Sequence, residues 1–159
     1  MKESAILNKP YRISAVLFDF DGTLTKPDAL DFSVIKKIIG CPEETPALEF
    51  IESISDPQKR SDAFDELNRF ENQAAANSEP NPGAENLVRT IHSNGLPMGL
   101  ITRNSMDSIK KALKNFNGID LSYFDVVITR DDPVKPKPDP AGILLAARRL
   151  NIDPRHIMM

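Results

Sequence analysis

The chain alternates between short apolar runs and amphipathic stretches, and this alternation restricts the fold more than any other feature. Apolar runs rich in strand-forming residues occur at 13–18, 98–102, 124–129 and 156–159. Stretches with helical spacing of apolar residues separate the last three runs. Strands of this kind that alternate with helices are typical of a parallel sheet covered on both faces. We therefore predict an α/β fold with a parallel sheet between layers of helices.

The segment between the first and second apolar runs has a different pattern. Thr45-Pro46 and Asp56-Pro57 each combine an N-capping residue with a proline suited to the first turn of a helix. Apolar residues follow both pairs at helical spacing, and no strand pattern interrupts them. We predict an all-helical cap over residues 28–80, inserted between two segments of a sheet domain, 1–27 and 81–159.

Composition excludes several classes of function. The 159 residues are 40% hydrophobic and 27% charged, which suits a folded domain with a core. The net charge of −3 gives no electrostatic attraction for nucleic acid or an acidic membrane. No apolar run approaches the roughly 20 residues of a membrane span, and a single cysteine, Cys41, allows no disulfide within the chain. We expect a cytoplasmic protein without nucleic-acid or membrane partners, and the sequence leaves its oligomeric state open.

Polar residues follow three of the predicted strands. Asp19 and Asp21 come directly after the first strand, and Thr102 ends the second. A loop containing Lys135 and Lys137 follows the third strand. In open parallel sheets, ligands bind beyond the carboxyl ends of the strands. We therefore expect these three groups to converge on one site.

The occurrence of Asp19 and Asp21 together has a chemical interpretation and a structural one. Two carboxylates this close repel each other, and burial strengthens the repulsion. Mg²⁺ relieves it, because this ion prefers carboxylate and carbonyl oxygens. An aspartate can also attack phosphorus, while a second carboxyl group protonates the leaving oxygen. The alternative is a solvated turn, since Asp and Gly favour turns.

The other two segments are also open to two interpretations. Thr102, Arg103 and Asn104 lie between a strand and a predicted helix N-terminus, where a hydroxyl and free amides can hold a phosphate. Ordinary helix capping by Asn104 or Ser105 is the alternative. In the proline-rich loop 134–140, a fixed lysine can hold a phosphate and offset a nearby negative charge. The alternative is a rigid surface loop with solvated lysines.

Together these segments resemble the haloacid dehalogenase superfamily, in its phosphatase branch. Phe18-Asp19-Phe20-Asp21-Gly22-Thr23-Leu24 is similar to the first family motif, and Thr102 after Gly99-Leu100-Ile101 is similar to the second. The third motif, Lys-Pro-x-Pro, fits in two registers that begin at Lys135 and at Lys137. The resemblance implies a three-layer Rossmann-like fold with a small helical cap after the first strand, similar to phosphoglycolate phosphatases.

The resemblance also implies individual roles. Asp19 is expected to be the nucleophile and a magnesium ligand. Asp21 is expected to be the general acid and base, and its backbone carbonyl is a second magnesium ligand. The phosphoryl oxygens are expected to be held by Thr102 and by the backbone amides of Arg103 and Asn104.

One lysine is expected to orient Asp19 and the phosphate. In the family this lysine lies just before the helix that leads to the last strand. Lys137 immediately precedes the predicted helix start at Asp139-Pro140, so it fits better than Lys135, which remains the alternative.

The expected function is Mg²⁺-dependent hydrolysis of a small phosphorylated metabolite through an aspartyl phosphate. The family's fourth motif, a Gly-Asp followed by another Asp, belongs after a strand such as 157–159, where the sequence stops. We interpret Asp131 and Asp132 as loop residues, so we expect the C-terminal part of the core to be missing. A phosphomutase, a dehalogenase, and an inactive fragment that binds phosphate or a partner are the alternatives.

Overall fold

A parallel sheet forms the centre of the molecule, as the alternating pattern predicts. The computed structural model describes residues 12–27 and 32–159. In this part of the chain the strands are β1 (Ala15–Phe18), β2 (Met98–Ile101), β3 (Val126–Ile128) and β4 (Ile157–Met158). Their order in the sheet is β3-β2-β1-β4, and every neighbouring pair is parallel. Each strand lies inside its predicted run and is shorter than it.

Residues 12–27 and 32–159 contain six α-helices, and those that begin at Ala47 and Pro57 follow the predicted pairs Thr45-Pro46 and Asp56-Pro57. The six helices are α1 (Phe32–Ile39), α2 (Ala47–Ser53), α3 (Pro57–Asn77), α4 (Ala84–Ser93), α5 (Met106–Leu113) and α6 (Ala141–Leu150). Local capping explains two of these starts. The side chain of Asp56 accepts hydrogen bonds from the amides of Gln58 and Lys59, and the Ser105 hydroxyl accepts one from Ser108.

Helices cover the sheet on both faces. Val16 and Leu100 point to one face and pack in a buried cluster with Val88 of α4 and Ile109 of α5. One residue from each of three neighbouring strands points to the other face and packs with α6. These residues are Leu17, Ile101 and Ile128. This division follows the period of two residues along a strand. The predicted three-layer α/β fold is therefore confirmed.

The helical cap, which we define as α1, α2 and α3, has its own apolar core. Its buried residues come from all three helices and are Ile35, Leu48, Ile51, Ala63 and Leu67. The chain leaves and rejoins the sheet domain at one place, where Thr25 pairs with Pro80 in an antiparallel bridge. The predicted domain ranges also include residues 1–11 and 28–31, which lie outside the described residues.

Helix α3 connects the cap to the sheet domain. Leu67, in its middle, packs in the cap core, whereas Ala75 near its end packs in the sheet-domain core. None of the helices within residues 12–27 and 32–159 is both long and apolar enough to cross a membrane.

Candidate active site

The predicted site residues meet at the carboxyl edge of the sheet. Asp19 follows β1 directly, Thr102 follows β2, and Lys137 lies in the loop between β3 and α6. The strands are aligned so that Ile101, the residue before Thr102, lies opposite Ile128. Parallel strands in this register bring the residues that follow them to the same edge.

Asp19 is held by two partners through the same carboxylate oxygen. The Nζ atom of Lys137 lies 2.5 Å from Asp19 Oδ1, and the backbone amide of Phe20 donates to Oδ1 at 2.8 Å. No described residue donates a hydrogen bond to Asp19 Oδ2. The side chain of Asp19 is 43% exposed, so solvent and ligands can reach its carboxylate.

Lys135 has different surroundings. It is exposed and lines a small recess of about 60 Å³ together with Thr102 and Lys137. Within the described ranges Lys135 forms no ion pair with a carboxylate. Of the two registers of the basic loop, the structure therefore brings the one that begins at Lys137 to Asp19.

A tight turn after β1 places Asp21 next to Asp19. Gly22 adopts a φ of 72°, a left-handed conformation that favours glycine. The turn closes when the amide of Thr25 donates to the carbonyl oxygen of Phe20 at 3.1 Å. Because Phe20 and Thr25 are both buried, the turn is fixed from inside while Asp19 and Asp21 remain at its outer side.

The Asp21 carboxyl group is partly desolvated although the residue as a whole is exposed. Asn104 donates its side-chain amide to Asp21 Oδ2 at 2.8 Å. Burial of the carboxyl group raises the pKa of Asp21 to about 6, and repulsion from Asp19 adds to this rise. The Asn104 hydrogen bond and the Lys137 charge both lower the pKa and only partly offset those effects. Asp21 can therefore hold or release a proton near neutral pH.

The segment after β2 differs in one respect from the expected phosphate cradle. The backbone amide of Asn104 donates to the buried hydroxyl of Thr102 at 3.1 Å, so this amide already has an acceptor. The Asn104 side chain contacts Asp21 instead. The backbone amide of Arg103 has no acceptor within the described part of the chain. Ser105 caps α5, so helix capping and an available amide coexist here.

Two ion pairs that sequence analysis missed join the cap to this edge. Arg103 contacts Glu49 of α2 at 2.6 Å, and Arg130 contacts Glu71 of α3 at 2.6 Å. Arg130 also donates to Asn68 of α3 at 2.7 Å. A signal was present in the sequence, because the tripeptide Ile-Thr-Arg begins at the last residue of both β2 and β3. The repeat places an arginine at the same level of two neighbouring strands.

A larger cavity of about 430 Å³ lies between the cap and these arginines. Its charged lining residues are Lys36, Glu44, Glu71, Arg103 and Arg130. Its apolar lining residues are Phe32, Pro46, Ala47, Leu48 and Leu67. The volume is within the range of small-molecule sites, about 300 to 1,000 Å³. Asn104 also lines it and contacts Asp21, so the cavity adjoins the carboxylate pair.

The donor set around Asp19 suits Mg²⁺. Asp19 Oδ2 and the backbone carbonyl of Asp21 are hard oxygen donors, and Mg²⁺ in phosphate-handling sites is typically held by one or two carboxylates together with waters and substrate. Among the described residues, no three His, Cys, Asp or Glu side chains converge on one point. Asp131 and Asp132 lie in the loop after β3, as interpreted, where they accept hydrogen bonds from the amides of Met106 and Thr129.

Comparison with known proteins gives one consistent family. The model of the haloacid dehalogenase-like hydrolase family matches residues 13–159. An uncharacterized hydrolase of Saccharomyces cerevisiae is 34% identical over 149 residues, which cover 92% of this chain and 67% of that protein. The N-acetylmuramic acid 6-phosphate phosphatase of Pseudomonas aeruginosa is 27% identical, over 94% of this chain and 74% of that protein.

The solved structures share the fold. A haloacid dehalogenase-like hydrolase of Bacteroides fragilis superposes with a TM-score of 0.71 at 24% identity, covering 92% of this chain and 77% of that one. The chain spans about two thirds of the length of the first curated relatives that it matches.

Proposed function

This chain belongs to the haloacid dehalogenase-like hydrolases, and from that premise we propose that it is the catalytic part of a Mg²⁺-dependent phosphatase acting on a small phosphomonoester. The observation that carries the proposal is the contact between Lys137 and Asp19 at the carboxyl end of β1. A cation on one carboxylate oxygen holds the side chain in a fixed orientation, while the other oxygen has no hydrogen bond from the described residues. Related proteins named as phosphatases support the reaction class.

Asp19 is the proposed nucleophile. One of its carboxylate oxygens attacks phosphorus, the bond between phosphorus and the ester oxygen breaks, and an aspartyl phosphate forms. Lys137 orients the carboxylate and offsets negative charge as the phosphoryl group approaches. Water then attacks phosphorus, the bond to Asp19 breaks, and inorganic phosphate leaves.

Asp21 is the proposed general acid and base. In the first step it gives its proton to the leaving alcohol oxygen, and in the second it takes a proton from the attacking water. A pKa of about 6 supports both roles, since a group of this kind works best when its pKa lies near the working pH. The hydrogen bond from Asn104 supports the role by fixing the carboxyl group in position.

Phosphate binding is proposed for the hydroxyl of Thr102 and the free amide of Arg103, and Lys135 stays a solvated alternative to Lys137. Asp19 and the Asp21 carbonyl would hold Mg²⁺, which supplies positive charge to the phosphoryl oxygens when bound. The side chain of Asn104 acts through Asp21 in this proposal.

A mutase would return an isomerised sugar phosphate, and a dehalogenase would not need Asp21. Release of free phosphate therefore separates the phosphatase hypothesis from these two alternatives.

The test is release of inorganic phosphate by the intact protein, measured with Mg²⁺ and with EDTA. Asp19→Asn should lower kcat by about 10⁴-fold or more, the scale of loss when a nucleophile is removed. Asp65→Asn, at an exposed position on α3, is the matched control and should keep wild-type turnover. Normal turnover by Asp19→Asn would contradict the proposal, and so would turnover that is unchanged by EDTA.

A further inference from the structure

The cavity between the cap and the sheet domain brings positive charges together with negative partners. Its positive side chains are Lys36, Arg103 and Arg130. Both arginines come from the sheet domain. Arg130 pairs with Glu71, which also lines the cavity, and Arg103 pairs with Glu49 of α2, which is outside the lining and contacts Arg103 from the cap. Without these partners the cavity would strongly attract a second anionic group of a substrate. With them, most of that attraction is cancelled.

Arg130 donates three hydrogen bonds to side chains of α3. Its Nη1 donates to Glu71 Oε1 at 2.6 Å, and its Nη2 donates to Asn68 at 2.7 Å and to Glu71 Oε2 at 2.9 Å. Both side chains of the ion pair are nearly buried, at 11% and 4% exposure. Removing either partner would leave a buried unpaired charge. A ligand that displaced Glu71 would therefore have to overcome a large free-energy cost.

Arg103 uses only one of its three side-chain nitrogen atoms in hydrogen bonds with the described residues. Its Nη2 donates to both carboxylate oxygens of Glu49, at 2.6 and 2.7 Å, and its Nε and Nη1 have no acceptor among the described residues. The pair is partly exposed. A hydroxyl oxygen of a ligand can accept from the remaining donors while Glu49 keeps its place. A ligand carboxylate or second phosphate would instead lie close to the Glu49 charge, and like charges placed together oppose binding.

The rest of the wall offers little to a second anion. Lys36 is held by a hydrogen bond from its Nζ to the backbone carbonyl of Glu43, and Glu44, of the opposite charge, also lines the cavity. Apart from Asn104, the remaining surface is apolar, with Phe32, Leu48 and Leu67 as its largest side chains. This surface suits the carbon skeleton of a substrate.

We infer that the substrate is a phosphate monoester whose leaving group is an uncharged, hydroxylated alcohol, and that Glu49 is the residue that sets this specificity. The inference rests on the proposed phosphatase function. Glu49 keeps Arg103 available to neutral oxygens and unavailable to a carboxylate or second phosphate. The selectivity thus comes from a repulsive charge placed beside an attractive one.

A matched pair of substrates tests this inference. Glycerol 3-phosphate and 3-phosphoglycerate have the same three-carbon skeleton and differ in a hydroxymethyl group against a carboxylate. For the intact protein with Mg²⁺, kcat/KM should favour glycerol 3-phosphate by at least about tenfold, equivalent to about 1.4 kcal/mol. Glu49→Gln should reduce that preference by about tenfold, since Arg103 then faces the substrate with its charge uncompensated.

Two controls keep the outcomes separate. Glu66→Gln changes a cap glutamate that pairs with Arg69 on the outer surface of α3, and it should leave the substrate preference unchanged. Hydrolysis of p-nitrophenyl phosphate reports the chemistry without this specificity. Absence of all turnover would overturn the proposed function and the inference with it. Turnover with equal or better use of 3-phosphoglycerate by the wild-type protein would overturn the inference alone. A Glu49→Gln variant with an unchanged preference would overturn the assignment to Glu49.

Discussion

Lys137 contacts Asp19 through a single carboxylate oxygen, with 2.5 Å between Nζ and Oδ1. The two residues are far apart in the sequence of the sheet domain, and the sheet brings them together at the end of β1. The amide of Phe20 donates to the same oxygen. The carboxylate is therefore held through one oxygen, and its other oxygen accepts no hydrogen bond from the described residues.

Lys137→Met should lower kcat for phosphate release by about 10²- to 10³-fold, the usual loss when a positioned donor to developing charge is removed. The amide of Phe20 still holds Asp19, so the fold should be unaffected. The measurement is steady-state phosphate release, with circular dichroism to check folding.

Lys135→Met is the matched control, because Lys135 is exposed and forms no ion pair with a carboxylate within the described ranges. It should change kcat by less than about threefold, as expected for a solvated charge near the site. If Lys135→Met were the more damaging change, the other register of the basic loop would hold the role.

Local signals explain why the strands and helices could be predicted from the sequence. Apolar runs at 13–18 and 98–102 contain β1 and β2, and the pair Asp56-Pro57 marks the start of α3. The short helices Leu121–Tyr123 and Pro154–His156 were not predicted. Each is a single turn, too short to show a period of apolar residues.

The contacts across the cavity could not be predicted in the same way. Glu49 and Arg103 lie far apart in sequence, and so do Glu71 and Arg130. Which charges meet depends on how the cap lies on the sheet domain, and no local pattern encodes that arrangement. The roles of Asp21, Thr102 and the lysines remain predictions, although the structure places these residues at one edge.

Removing one partner of the buried ion pair between Arg130 and Glu71 should destabilise the fold. Arg130→Met leaves the Glu71 carboxylate buried without its cation, and we expect the free energy of unfolding to fall by about 3 to 5 kcal/mol. Urea denaturation measures this change. Adding Glu71→Leu should restore much of the loss, because both charges are then removed.

The exposed pair between Arg69 and Glu66 provides the comparison for that prediction. Its side chains are largely in solvent, so Arg69→Met should change the free energy of unfolding by less than about 1 kcal/mol. Equal losses for Arg69→Met and Arg130→Met would show that burial is not the source of the effect.

Gly99 in β2 should not tolerate a side chain. A Cβ atom there would lie 2.4 Å from Val126 Cγ1 and 2.7 Å from the Val126 carbonyl oxygen, so β2 and β3 would have to separate. We expect Gly99→Ala to lower the free energy of unfolding by about 1 to 3 kcal/mol or more. Thermal or urea unfolding measures it.

Gly142→Ala is the matched control for Gly99→Ala. A Cβ atom at Gly142 lies 3.3 Å from Ile101 Cγ2, a side-chain atom that can move, and alanine favours the helix by up to about 1 kcal/mol. The net effect should be small. A Gly99→Ala variant as stable as Gly142→Ala would contradict the close packing of β2 against β3.

The raised pKa of Asp21 should appear as a pH dependence of stability in the metal-free protein. Burial and the Asp19 charge raise this pKa from 3.8 in an unfolded chain to about 6. Between these values the folded state binds more protons than the unfolded state, so the contribution of Asp21 to the free energy of unfolding falls as pH rises. Below about pH 4 this penalty is absent, and above about pH 6 it is fully present.

Asp21→Asn isolates this contribution, because asparagine does not titrate and its side-chain oxygen can still accept from Asn104. Urea denaturation in EDTA, from pH 4 to pH 7, gives the free energy of unfolding of both proteins. The variant should gain stability relative to the wild type as pH rises through this range, and the difference should level off above about pH 6. A difference that is constant with pH, or that falls as pH rises, would show that the carboxyl group of Asp21 keeps an ordinary or lowered pKa in the folded protein.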